Sequence, residues 1–87
     1  MDFSHGSIQK MYEEQGKDKI NKLLQKIVVT EYNMEVSGEI IASTPSDAQR
    51  TRLREKNTRR RHAIGSMEKE IRDLRQTIEA RSREVST

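Results

Sequence analysis

Residues 28–41 read VVTEYNMEVSGEII, and the fold turns on whether this stretch is a strand or more of a helix. Its even positions run Val28, Thr30, Tyr32, Met34, Val36, Gly38 and Ile40, while the odd positions from 31 to 39 are Glu31, Asn33, Glu35, Ser37 and Glu39. A period of two sends alternate side chains to opposite faces of a strand, and β-branched and aromatic residues suit such a surface. The alternation predicts a short β segment over about 28–41. Against it stands a seven-residue recurrence of Ile20, Ile27, Met34 and Ile41, which a continued helix would produce. A strand here needs company: Ser37-Gly38 would turn it into a short hairpin, or it would pair with its copy in a second chain.

On the N-terminal side, residues 1–6 (MDFSHG) carry no periodic signal and read as a loose tail. Ile8, Met11 and Tyr12, then Ile20, Leu23, Leu24, Ile27 and Val28, fall at spacings of three and four, the mark of an amphipathic helix. Gly16 interrupts it at a cost of about 1 kcal/mol relative to alanine, so the first turns are expected to fray or bend. Residues 7–42 thus form one unit, an N-terminal helix plus the β segment. On the C-terminal side, Thr44-Pro45-Ser46-Asp47 offers a threonine N-cap, a proline at the first helical position and an acid three residues after the cap. A long helix is expected from about 45 to about 84, within a second unit spanning 43–87.

That helix has two halves. In the second, Ile64, Ile71, Ile78 and Val85 repeat every seven residues, with Met67 and Leu74 three after the first two. β-Branched residues at a with Leu or Met at d favour a parallel two-stranded coiled coil, in which Glu70 would face Arg75 of a second chain. Ile64, Met67, Ile71, Leu74, Ile78 and Val85 are therefore the expected oligomerisation residues, and the fold class is mainly α, with coiled-coil heptads, and homo-oligomeric. The same apolar stripe would serve equally to pack on helix 7–27 of its own chain as a helical hairpin.

The first half is basic: between Gln49 and His62, seven cations stand against one acid, Glu55, a net +6. Six of them are arginine, whose planar fork binds phosphate oxygens bidentately. Arg50, Arg52, Arg54, Lys56, Arg59, Arg60 and Arg61, with Asn57 offering a donor and an acceptor, are the expected nucleic-acid-binding residues, contacting duplex or structured RNA or DNA through phosphate. Asn57 also suits a polar a position that fixes helix register. An arginine-rich helix followed by heptads resembles the layout of basic-zipper DNA-binding proteins in architecture only. That family's basic region has paired alanines where the run Asn57-Thr58-Arg59-Arg60-Arg61-His62-Ala63 has arginines.

Composition limits what else the chain can be. Of 87 residues only 31% are apolar, and 17 basic residues nearly cancel 14 acidic ones to leave +3 at pH 7. Small domains bury only about 60% of their unfolded surface, so a chain this poor in apolar groups is expected to assemble with a partner. The partners expected are a second copy in a homodimer or higher even oligomer, nucleic acid, or an acidic protein. With no cysteine, disulfides and thiolate metal sites are excluded, and His5 and His62 are too far apart in sequence to suggest a metal centre. No glycine-rich phosphate loop or nucleophile elbow appears, and Glu13-Glu14 and Glu68/Glu70 read as solvated helix charges, so neither catalysis nor a cofactor is expected. No apolar run is long enough for a membrane span, which points to an intracellular protein, nuclear or cytoplasmic. Two functions follow: a non-enzymatic oligomeric nucleic-acid binder, or a coiled-coil adaptor or assembly module.

Overall fold

The computed structural model describes residues 5–85. Two 39-residue helices, α1 (His5–Ser43) and α2 (Asp47–Val85), run antiparallel as a hairpin joined by Thr44, Pro45 and Ser46. At 1.5 Å per residue each helix is about 58 Å long, and the molecule measures 66 × 21 × 14 Å, one helix thick. Residues 1–4, most of the segment read as a loose tail, lie outside the described residues, whereas His5 and Gly6 already belong to α1.

There is no strand among the described residues, and the expected β segment over 28–41 is the last third of α1. The seven-residue recurrence wins over the alternation for a physical reason. A helix closes its own backbone hydrogen bonds, whereas a strand at this position would leave a row of amides and carbonyls without a neighbour. The helix also gains a packing partner, because Ile20, Leu23 and Ile27 are buried, Thr30, Met34 and Ile41 half-buried and Ser37 buried, all at alternating spacings of three and four. That spacing keeps one stripe facing a neighbouring helix along its whole length.

The neighbour is α2, whose inward residues Arg50, Leu53, Asn57, Arg60, Ile64, Met67, Ile71, Leu74 and Ile78 follow the same rhythm. Ile20, Leu23, Ile27 and Ile71 form the core, with Ile64, Met67, Leu74 and Ile78 packed against it. The stripe expected to join chains in parallel is thus occupied within the chain by an antiparallel partner. In place of an N-terminal helix, a β segment and a coiled coil formed between chains, the fold is a helical hairpin, and Glu70, expected to meet Arg75 of another chain, instead pairs with Lys19 of α1 at 3.4 Å. The Val85 side chain lies outside the described residues.

Two local expectations change with the fold. Gly16 does not break α1. A Cβ there would lie 2.8 Å from Ile78 Cδ1, so the missing side chain lets α2 approach closely. The cap of α2 is Ser46, two residues later than expected: its Oγ accepts from the Gln49 amide at 3.3 Å, and its carbonyl accepts from the Arg50 amide at 3.0 Å. Pro45 precedes the cap, and the Thr44 amide donates back to the Ile40 carbonyl at 2.8 Å, closing α1. A three-residue link with both ends hydrogen-bonded forces the antiparallel return.

Candidate functional site at the arginine-rich end

The basic half of α2 lies next to the interhelix link, against residues 34–43 of α1 and Thr44 of the link. Its inward positions are polar. Asn57 is 7% exposed and Ser37 5% exposed, the two buried polar residues among those described. The Asn57 Nδ2 donates to the Met34 carbonyl at 3.4 Å, and Arg60 donates through Nη1 to Ser37 Oγ at 2.7 Å and to Asn57 Oδ1 at 2.9 Å. This network satisfies groups that would otherwise be costly to bury. Arg50, half-buried, donates to the Thr44 carbonyl at 3.3 Å and pairs with Asp47, tying the start of α2 to the link.

The eight residues expected at a nucleic-acid surface therefore separate into two groups. Arg50, Asn57 and Arg60 belong to the seam, where they hold the hairpin together. Arg52, Arg54, Lys56, Arg59 and Arg61 are exposed, as is His62. The helix is thus not basic on every side in its folded setting, because one strip is turned onto α1. The end of α1 brought beside this cluster carries Glu31, Glu35 and Glu39 and no cation. An acidic segment alongside a basic one favours the antiparallel closure electrostatically. Extending the Ile64–Ile71–Ile78 row backwards through Asn57 to Arg50, and the Met67–Leu74 row backwards to Arg60, is the sequence signal that identifies the inward arginines.

At the opposite end, Arg81 occupies the last described seam position, and its guanidinium carbon lies 4.7 Å from the centroid of the Tyr12 ring. Ser82 Oγ donates to Glu13 Oε1 at 2.6 Å. These contacts close the apolar half of the seam where the core thins out. Among the described residues, no three His, Cys, Asp or Glu side chains converge as metal ligands, and no helix is long and apolar enough to cross a membrane.

A family profile described as "Small, acid-soluble spore protein Tlp" matches residues 9–83, which takes in nearly all of both helices. The chain belongs to the Tlp family. Relatives described as "Protein Tlp homolog" from Clostridium botulinum agree. Those of the Langeland and Okra strains are each 40% identical over 57 residues, 66% of this chain and 76% of the relative. That of the Hall strain is 39% identical over the same shares. No solved structure gives a significant match. Membership overturns the functional expectation drawn from the sequence: a chain of the Tlp family is a spore protein and not a coiled-coil adaptor, and its arginine-rich helix does not by itself make it a nucleic-acid binder.

Proposed function

We propose that this chain is a structural, non-enzymatic constituent of the spore interior, acting by its presence in quantity and not by turnover. The observation that carries this reading is the family match across residues 9–83, which includes the seam and its polar end alike. The architecture is consistent with it. A one-layer hairpin in which none of the described side chains is fully buried is a poor frame for desolvating a carboxylate or histidine and tuning its reactivity.

Acid solubility, the property in the family's description, follows from composition. Protonating the 14 acidic side chains and both histidines leaves 17 Lys and Arg plus two imidazolium groups, 19 positive charges on 87 residues of which 31% are apolar. A chain so highly charged repels its copies and stays dissolved even where its fold is strained.

The test is to follow the protein through sporulation in its own host with an antibody raised against the full chain. It is expected in the acid extract of purified, coat-stripped spores and absent from growing cells. Recovery from growing cells in comparable amount, or from the coat fraction alone, would refute the assignment.

A further inference from the structure

The two flanks of the hairpin differ in how their charges are met. The Lys19–Glu70 pair marks one flank. Seven residues return a helix to the same face, so one step further towards the link Lys26 stands across from Ala63, and a second step sets Asn33 across from Lys56. Neither lysine has an anion opposite it. Lys22, Arg52 and Arg59, three or four residues away on the same side, add cations and no acid. Arg60 beside them donates through Nη1 to the neutral Ser37 and Asn57 side chains, and no carboxylate among the described residues pairs with it. The other flank, where Lys17 and Arg75 line one groove, is balanced over the same length: Glu31 and Glu35 of α1 stand against Arg54 and Arg61 of α2.

Between these cations the flank is apolar. Lys22, Gln25, Lys26, Val29, Thr30 and Met67 line a groove of about 520 Å³. Val29 in its floor is 58% exposed, and the half-buried Val36, one heptad on, continues it. We propose that this flank binds an acidic amphipathic helix of another protein, laid lengthwise as a third helix against α1 and α2. Its apolar stripe covers Val29 and Met67, and carboxylates on either side of that stripe meet Lys22 and Lys26 on one wall and Lys56 and Arg59 on the other. A helix in a groove is recognised in this way, by apolar anchors three and four residues apart and by complementary charge along their edges. Charge alone would suit phosphate equally, but phosphate leaves Val29 and Met67 facing water. The apolar floor between two cationic walls selects the helix, and the excess of cations on both walls selects an acidic one.

The probe is a synthetic peptide of about three heptads with leucine at the a and d positions and glutamate beside them, fluorescently labelled and titrated with the full chain. Anisotropy should show binding in the micromolar range that weakens as salt is raised. Lys26→Glu with Lys56→Glu should weaken it about tenfold or more, whereas Arg54→Glu with Arg61→Glu, the same charge change on the balanced flank, should cost about threefold at most. All four side chains are exposed, so helix content should be unchanged in both variants, which circular dichroism checks. Val29→Asn, which alters no charge, should also weaken the peptide, and polyglutamate of equal length or a short DNA duplex should compete poorly. Absence of peptide binding up to about millimolar concentration or equal losses from the two charge pairs would overturn the proposal. So would an unaffected Val29→Asn variant, or competition by polyglutamate or the duplex as strong as by unlabelled peptide.

Discussion

The side-chain amide of Asn57 donates to the main-chain carbonyl of Met34, 3.4 Å away across the seam, and so fixes which turn of α2 meets which turn of α1 in the half of the hairpin where apolar residues are scarce. A buried asparagine in a helix interface sets register at a cost in stability. Asn57→Leu should therefore raise the melting temperature by roughly 4–8 °C, about 1 kcal/mol, because Arg60 keeps its bond to Ser37 while the seam gains an apolar contact. Thermal melting followed by far-ultraviolet circular dichroism decides it. A lower midpoint would mean that the asparagine's two bonds outweigh the burial they displace.

Gly16 and Gly65 both lie inside helices but in opposite settings. Nothing lies within 4 Å of a Cβ built on Gly65, so Gly65→Ala should stabilise α2 by about 1 kcal/mol through backbone entropy alone. The same change at Gly16 meets Ile78 Cδ1 at 2.8 Å and forces that side chain to move, cancelling the helix gain at a cost of about 1–3 kcal/mol. Paired denaturant titrations should show the midpoint rising for Gly65→Ala and holding or falling for Gly16→Ala. Equal increases would show that Ile78 repositions freely.

Ile71 is the most buried side chain of the core at 4% exposure. Ile71→Ala should cost about 2–5 kcal/mol, a large part of the stability of a hairpin with so few apolar contacts. Leu53→Ala, half-buried in the polar half of the seam, should cost less than half as much. Comparing the two melts locates the stabilising contacts, and equal losses would place as much of the stability beside the link as in the isoleucine cluster.

The sequence makes the helices legible unevenly. The C-terminal heptad at Ile64, Met67, Ile71, Leu74 and Ile78 marks the inward stripe of α2 without help from the structure. Residues 28–41 mislead because two periodicities overlap: Met34 and Ile41 belong to the seam, while Val28, Tyr32 and Ile40 form an outward apolar row, and together they imitate the alternation of a strand. Helix propensity does not separate these readings; the facing stripe of α2 does, and that is a tertiary effect. The arginine cluster shows a similar overlap. A net charge gives no orientation, so by charge alone Arg50 and Arg60, which bond inward, look the same as Arg52 and Arg59, which do not, and only the heptad carried back from Ile64 and Met67 separates them.

Acid should separate solubility from folding. At about pH 2 carboxyl groups are protonated, which leaves 19 positive side chains crowding a rod whose core rests on four buried residues. The protein is expected to stay clear in solution while its helix signal falls well below the neutral value. The loss would come from self-repulsion, so it should be reversed by salt, which shortens the range of the repulsion to about 3 Å at 1 M. Helix content measured at about pH 2 with increasing chloride checks both halves of the argument. Precipitation would contradict the account of acid solubility. A helix signal that falls and does not recover with salt would mean that lost ion pairs, and not overall charge, unfold the hairpin.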